Sequence, residues 1–225
     1  MRASADRIPY TGGQSHRYQP LDAGTEGRLR AVIDCLWQGV IVADRSGRVV
    51  LANRAAQAIL AAGDGLHDGP GGLRTETMES TRRLRRMVEA ASGSAPAGNV
   101  MALPRIGQPH PLSVLISPLR SGAEADLALI LIIAPDCVPT PWPDLLRDLY
   151  GLTDAEAAVA VAMARGEGLA AVAAKLNVGR TTVRTHLQHV FEKTGTRRQA
   201  QLVRLIMAGC VSMCAVPDAL ESLRP

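Results

Sequence analysis

The C-terminal fold is decided by the sequence Arg180-Thr-Thr-Val-Arg-Thr-His-Leu-Gln-His-Val-Phe-Glu-Lys. At about 100° per residue, this segment predicts a helix with one apolar stripe and one polar stripe. The apolar stripe can pack on a small core while the polar stripe faces outward. A guanidinium pairs with guanine and an amide with adenine in the major groove, so we expect the polar stripe to contact bases. The apolar stripe is Val183, Leu187, Val190 and Thr194, and the polar stripe is Thr181, Arg184, Thr185 and Gln188.

The residues before this segment complete a helix-turn-helix pattern. Four apolar residues with helical spacing predict a short amphipathic helix, and the three residues after it favour a tight turn. Further upstream, Thr153 and Glu156 have the spacing of a capping box at the start of another helix. The order helix, tight turn, helix is typical of DNA-binding proteins. The four apolar residues are Leu169, Val172, Ala173 and Leu176, and the turn is Asn177-Val178-Gly179.

The positive charge of the chain also lies where DNA contact is expected. The 225 residues carry a formal net charge of +4, and basic residues dominate the C-terminal helices. A phosphate backbone attracts such a surface. Aromatic residues make up only 3 % of the chain, which disfavours stacking on single-stranded bases and favours duplex DNA. The basic residues are Lys175, Arg180, Arg184, Lys193, Arg197, Arg198 and Arg204, with Glu192 among them.

This region resembles the LuxR-type helix-turn-helix domain of bacterial transcription regulators. The resemblance rests on Leu152-Thr153-x-x-Glu156, Gly166, Ala173-x-x-Leu176, Thr182-Val183-Arg184-x-His186-Leu187, Val190-Phe191-x-Lys193-x-Gly195, Arg198 and Ala200. It implies an all-α four-helix domain, at residues 148–210, that binds double-stranded DNA sequence-specifically and regulates transcription. The residues that it places at bases are Arg184, Thr185 and Gln188. The residues expected at phosphates, from the resemblance and from charge, are Arg180, Thr181, Thr182, Lys193, Arg197 and Arg198.

Two features depart from the pattern of that family. The first helix of the unit begins with Leu169-Ala170-Ala171, where a polar segment is usual, and Gly179 stands where the family has serine or threonine. Glycine is a weaker helix cap than serine by a few tenths of a kcal/mol, which leaves the fold intact. These departures motivate the alternative function, a protein-interaction adaptor with a degenerate helix-turn-helix domain.

The front part of the chain predicts a second, α+β domain. A helix is expected after a polar tail at residues 1–27, followed by two β-rich runs that flank the turn at Asp44, and Asn53 can cap the next helix. A glycine-rich loop, another helix and three strands follow. This order resembles a PAS-like domain, an antiparallel sheet with flanking helices, at residues 28–135. The two later helices and the three strands are expected at residues 53–60, 77–91, 99–103, 112–119 and 127–134.

Prolines separate the two domains. Residues 136–147 contain three prolines, each of which prevents continuation of a helix or strand ladder, so a stiff linker is expected there. Residues 211–225 are expected to form a C-terminal tail.

The sequence offers no constellation for catalysis, a metal or a cofactor. No nucleophile elbow or phosphate-binding loop is present, and the four cysteines lack metal-ligand or disulfide spacing. His67 in the glycine-rich loop and His110 between two prolines are more simply explained as solvated residues than as cofactor ligands. Cys35 is more simply explained as a residue that fills the core. A receiver domain with Asp44 as phospho-acceptor is disfavoured because a hairpin follows that residue directly. We therefore expect a cytoplasmic protein that is not an enzyme and does not enter a membrane.

The front domain is expected to sense a small molecule or to mediate dimerisation, and a homodimer is expected in either case. A ligand would be uncharged or weakly polar because the predicted interior is aliphatic. The alternative is a filled core that acts only as a scaffold. Dimerisation through the last helix is an alternative to dimerisation through the front domain. The predicted interior consists of Val40, Val42, Val50, Ile59, Leu84, Val88, Leu115, Ile130 and Ile132.

Overall fold

The computed structural model describes residues 23–93, 99–120, 126–137 and 142–213. The first three ranges form an α+β domain, and the last forms an all-α domain, each with its own apolar core. The polar tail was predicted at residues 1–27, whereas α1 already begins at Ala23. Residues 1–22, part of the linker and the chain after Met213 lie outside the described residues. The elements of the front domain are α1 (Ala23–Asp34), β1 (Gly39–Ala43), β2 (Val49–Ala52), α2 (Arg54–Ala62), β3 (Leu66–Gly69), β4 (Gly72–Thr75), α3 (Met78–Ala91), β5 (Asn99–Leu103), β6 (Leu112–Arg120) and β7 (Asp126–Ile133).

The front domain contains a five-stranded antiparallel sheet in the order β2-β1-β7-β6-β5. Helices α2 and α3 fall between β2 and β5 in the chain, as the PAS-like order requires. The three later strands lie within one residue of their predicted bounds, and the α+β, PAS-like fold is confirmed. Such an antiparallel sheet differs from the parallel sheet of a doubly wound receiver. Asp44 starts the predicted turn, accepting hydrogen bonds from the Ser46 hydroxyl and from two backbone N–H groups.

Asn53 joins three elements of the front domain. Its side-chain Oδ1 accepts hydrogen bonds from the N–H of Ala56, which caps α2, and from the N–H of Val40 in β1. Its Nδ2 donates to carbonyl oxygens between the end of α1 and β1, at Ile33, Leu36 and Gln38. The side chain is fully buried, and its polar atoms are satisfied by the backbone. The predicted helix cap is therefore confirmed, and it also fixes the entry into the sheet.

The glycine-rich segment predicted as a loop at residues 63–72 contains a hairpin instead. Strands β3 and β4 pair in an antiparallel ladder from Leu66–Thr75 to Gly69–Gly72. Gly72 has a φ of +89°, and a Cβ there would lie 2.4 Å from the carbonyl oxygen of Gly47. The glycine thus allows the hairpin to approach the β1–β2 turn, where the N–H of Leu73 donates to the same oxygen. Glycine-rich composition hid this hairpin because the segment shows no alternating apolar pattern.

The interior of the sheet differs from the prediction in three strands, β1, β2 and β6. In β1 and β6 the inward residues are Ile41, Ala43, Val114 and Ile116, whereas Leu115, 38 % exposed, lies on the outer face. Val50 is also exposed, Val42 is half-buried, and Val40 belongs to the outer face of the sheet rather than to the interior cluster. The apolar character of both faces leaves the inward register undetermined from sequence. Predicted interior residues that do lie in or against the core are Ile59, Leu84, Val88, Ile130 and Ile132.

Within residues 142–213, the C-terminal domain has five helices around a separate core. Helices α5 to α8 are the four predicted ones, and α4 precedes them. The side chain of Leu146 in α4 is fully buried in this core, so the predicted linker 136–147 overlaps a helix that starts at Pro143. Proline is well tolerated in the first turn of a helix, which explains why it marks a helix start here rather than an extended linker. The helices are α4 (Pro143–Tyr150), α5 (Asp154–Ala164), α6 (Leu169–Leu176), α7 (Arg180–Thr194) and α8 (Gln199–Met213).

Candidate nucleic-acid interface

Helices α6 and α7 form the predicted helix-turn-helix unit. The turn between them is the predicted Asn177-Val178-Gly179, in which Asn177 has a φ of 52° and ends α6. The N–H of Val178 donates to the carbonyl of Ala173, which closes the C-terminus of α6. On α7, Val183 and Val190 are fully buried and Leu187 nearly so. The apolar stripe of α7 therefore packs inward as predicted.

The opposite face of α7 is exposed and carries the predicted base-contacting residues. Arg184, Thr185 and Gln188 are all exposed. The hydroxyl of Thr185 donates to the carbonyl of Thr181 at 3.2 Å, and the Gln188 amide donates to Glu192 at 3.1 Å. Among the described residues, Arg184 has no hydrogen-bond or ion-pair partner. The Arg184 side chain can thus contact a base edge without breaking a hydrogen bond, whereas the Gln188 amide must first break its hydrogen bond to Glu192.

The start of α7 leaves its first N–H groups available. Gly179 occupies the cap position with φ −69° and ψ 152°, and no side chain accepts a hydrogen bond from this helix end. Unpaired N–H groups and the helix dipole give a helix N-terminus a partial positive charge, which favours contact with phosphate. Arg180, Thr181 and Thr182 in the first turn are exposed, as the predicted phosphate contacts require.

The other end of α7 is fixed to α5 through a buried carboxylate. Glu156, only 4 % exposed, completes the predicted capping box with Thr153. Its Oε2 also lies 2.7 Å from Nζ of Lys193, which additionally donates to the carbonyl oxygen of Gly151 at 3.0 Å. The His189 ring lies 3.4 Å from the second carboxylate oxygen. These contacts join the start of α5 to the last turns of α7.

The electrostatics of Glu156 favour its charged form. Burial by itself would raise its pKa, but hydrogen bonds from Lys193 and Thr153 outweigh that effect and lower the pKa to about 2. The carboxylate is therefore ionised at neutral pH. The sequence predicted the capping box but not this ion pair, because Glu156 and Lys193 are 37 positions apart and belong to different helices. Only the side-by-side packing of α5 and α7 brings them together.

The predicted phosphate contacts fall into two groups in the structure. Arg180, Thr181, Thr182, Arg197 and Arg198 are exposed near the two ends of α7. Lys193 uses two of its three N–H donors on Glu156 and Gly151. Its main structural contribution is thus to hold α7, and a phosphate contact from Lys193 remains a prediction.

The front domain has a large apolar surface outside its core. The face of the sheet opposite the core forms a groove of about 770 Å³ lined mainly by apolar side chains. Val100 on this face is 70 % exposed, and Val32 of α1 is 63 % exposed. Patches of this kind mark interaction sites on many proteins.

Within residues 23–93, 99–120, 126–137 and 142–213, no cluster of three or more His, Cys, Asp or Glu side chains could hold a metal ion. No helix in the described part of the chain is long and apolar enough to cross a membrane.

Comparisons with known proteins identify the C-terminal domain. Residues 151–206 match the model of the family described as bacterial regulatory proteins, luxR family. This segment is therefore a LuxR-type helix-turn-helix domain, and the chain combines it with a PAS-like front domain. No curated protein matches the chain.

Solved structures show distant likenesses over longer parts of the chain. The crystal structure of the phage VqmA–DPO complex has 15 % identity and a TM-score of 0.39, covering 89 % of this chain and 95 % of that one. The Vibrio cholerae VqmA dimer in the absence of target DNA has 16 % identity and a TM-score of 0.35, covering 86 % and 91 %. The PAS domain of Bordetella pertussis BvgS has 16 % identity and a TM-score of 0.36, covering 57 % and 96 %.

Proposed function

We propose that the protein is a sequence-specific, double-stranded DNA-binding transcriptional regulator that acts as a homodimer. The observation that carries this proposal is the exposed polar face of α7, opposite a stripe that is buried in the domain core. A rigid helix that presents such a face fits the major groove, which is wide enough to admit it. In this proposal the PAS-like domain senses a small molecule or mediates dimerisation, and the protein does no catalysis.

Base contacts are assigned to Arg184, Thr185 and Gln188. Arg184, unpaired among the described residues, donates two hydrogen bonds to the O6 and N7 atoms of guanine. Gln188 pairs with adenine after its amide leaves Glu192, and Thr185 contacts a neighbouring base edge. Two of the three contacts thus exchange an internal hydrogen bond for one to DNA, which makes Arg184 the strongest contributor.

Phosphate contacts are assigned to the two ends of α7 and the residues after it. The free N–H groups at the start of the helix and the cationic side chains at both ends can hold the backbone on either side of the groove. The residues assigned to phosphates are Arg180, Thr181, Thr182, Lys193, Arg197 and Arg198.

The homodimer is assigned to the front domain rather than to the last helix. In α8, Leu202 and Ile206 are fully buried in the core of their own domain, so much of the apolar surface of this helix is already used. The outer face of the sheet, by contrast, keeps exposed apolar side chains such as Val100, and α1 adds others such as Val32. A second copy that covers these surfaces would bury them both.

Sedimentation of the full chain tests this assignment. Val100→Lys places a charge on the outer sheet face and should convert the dimer into a monomer, because an unpaired charge is costly to bury. Ile106→Lys is the matched control, since Ile106 is 76 % exposed in a turn and does not line the groove. A Val100→Lys protein that stays dimeric would contradict the assignment of the dimer interface to the front domain.

Binding to pooled genomic fragments tests the proposed function itself. The full chain should retain a subset of duplex fragments in a gel shift, and repeated selection should enrich a shared sequence. The affinity should fall steeply with salt because phosphate contacts release counterions. Failure to retain any duplex at low salt would favour the adaptor alternative.

A further inference from the structure

A cavity that is partly open to solvent lies beside α2 of the front domain, apart from the closely packed residues of the core. Core residues such as Ile41, Ile116 and Ile130 are fully buried against one another. The cavity measures about 220 Å³ and is lined on one side by alanines of α2. Trp37 and Arg105 line it as well. We propose that this cavity binds a small, uncharged molecule with a single ring, and that Arg105 donates a hydrogen bond to it.

Small side chains create the space. Ala55, Ala58 and Ala62 follow one another at helical spacing along the same side of α2, and Ile59 is the one larger residue of this helix that lines the cavity. One water occupies roughly 30 Å³ in the liquid, so the cavity has the volume of about seven waters. That volume suits one ring with a short substituent and is below the usual range for drug-sized ligands. The indole of Trp37 offers a flat apolar surface to such a ring.

The charges at the cavity favour an uncharged molecule. Arg105, only 11 % exposed, donates from Nε to Asp64 and from Nη1 to Asp136, both at 2.8 Å. Asp64 also accepts a hydrogen bond from the N–H of Ile106. One guanidinium between two carboxylates has a net negative charge, which opposes an anion. The net charge attracts a cation, but both carboxylate oxygens of Asp64 already accept hydrogen bonds, so a cation would leave water for a wall of alanines at a cost of several kcal/mol.

Arg105 keeps a donor for the ligand. Among the described residues, none accepts a hydrogen bond from its third guanidinium nitrogen, Nη2. A carbonyl oxygen or ring nitrogen of the ligand can accept from it. The two aspartates hold the guanidinium plane in place, so this donor is oriented before the ligand arrives.

The cavity adjoins the turn with which the front domain ends. Asp136 and Cys137 belong to the 3-10 turn Pro135–Cys137, which follows β7 at the end of the front domain. A ligand on Arg105 therefore contacts the group that holds this turn. This inference deepens the sensing part of the proposed function and rests on it. Its test measures ligand binding in the absence of DNA, so a failure of ligand binding can be distinguished from a failure of DNA binding.

The test uses the full chain with Trp142→Phe, which leaves Trp37 as the only tryptophan. The NMR signal of the Trp37 indole N–H is followed during titration with benzamide, benzoate and benzamidinium, three probes of the same size and shape but different charge. Benzamide should shift the signal saturably, and the two charged probes should bind at least about tenfold more weakly because of desolvation. Equal binding of all three, or no saturable shift with benzamide, would overturn the proposal.

Variants of α2 locate the binding. Ala58→Leu fills the cavity and should abolish the benzamide shift, whereas Ala61→Leu adds the same group to an equally exposed alanine of α2 that does not line the cavity. Ala62→Leu is a second filling variant in case Ala58→Leu fails to fold, which its melting curve will show. Benzamide binding that survives in a folded filling variant would place the site elsewhere and contradict the inference.

Discussion

The helices of the front domain and the helix proposed to contact DNA are held in different ways. Helices α2 and α3 begin with side-chain caps, from Asn53 and Thr77. Helix α7 begins at Gly179 without one, and is held instead near its other end by Lys193 on Glu156. The difference indicates a division of roles within α7. Its C-terminal half and apolar stripe fix its position, and its N-terminal N–H groups remain available for phosphate.

Removing the Asn53 side chain should have the largest effect on stability. Asn53→Ala deletes the cap of α2 and leaves the N–H of Val40 and several buried carbonyls without a partner. A helix cap contributes about 1 kcal/mol and each unsatisfied buried group costs about 1–3 kcal/mol, so a loss of roughly 3–5 kcal/mol is expected. Urea unfolding of the full chain with Trp142→Phe, followed by Trp37 fluorescence, measures it.

An exposed residue of the same helix provides the control. Gln57→Ala removes one hydrogen bond from an exposed side chain of α2 and should cost about 1 kcal/mol or less. If Asn53→Ala costs no more than Gln57→Ala, Asn53 does not organise the entry into the sheet.

Neutralising Glu156 should have the next largest effect, and this effect should depend on pH. Glu156→Gln keeps an acceptor for the capping box but removes the charge that faces Lys193. The folded-state pKa of about 2 lies below the ordinary value of 4.5, so the charge stabilises the fold above about pH 4.5. That contribution is lost as the pH falls toward 2. The difference between the two pKa values corresponds to roughly 3 kcal/mol at neutral pH.

When Trp37 is replaced by Phe, the fluorescence of Trp142 at the start of α4 reports on the unfolding of the C-terminal domain. In this background, the urea midpoints of wild type and Glu156→Gln should differ at neutral pH and converge at about pH 2. A difference that stays constant across this range would show that the charge of Glu156 does not hold α7.

Adding a cap to α7 should have the smallest effect. Gly179→Ser supplies the missing acceptor, and the backbone at φ −69° accommodates a side chain without strain. We expect a gain of only a few tenths of a kcal/mol, because glycine is already a tolerable cap. Gly168→Ser at the start of α6, another helix without a side-chain cap, is the comparison. A gain above about 1 kcal/mol at Gly179 alone would show that the start of α7 is strained or frayed in the free protein.

Features governed by local sequence could be predicted, and those governed by packing could not. The caps at Asn53 and Thr153, the turn at Asn177 and both stripes of α7 follow from the spacing of neighbouring residues. The inward register of β1 could not be predicted because Val40, Ile41 and Val42 are all apolar.

In the candidate site, too, features set by local sequence could be predicted and features set by packing could not. The exposed face of α7 follows from helical periodicity, whereas the hydrogen bond from Gln188 to Glu192 depends on the rotamers that these side chains adopt. The cavity beside α2 depends on how Trp37 and Arg105 pack against its alanines, which no local pattern encodes.

The central claim is that Arg184 contacts a base rather than a phosphate. The direct test is the dissociation constant of the full chain for a selected duplex and for a shuffled duplex of equal length, measured at one salt concentration. Arg184→Ala should weaken binding to the selected duplex by about 1–3 kcal/mol and change binding to the shuffled duplex little. Arg82→Ala removes the same charge from an exposed position on α3 and should leave the ratio of the two affinities unchanged. An equal loss on both duplexes with Arg184→Ala would contradict the claim.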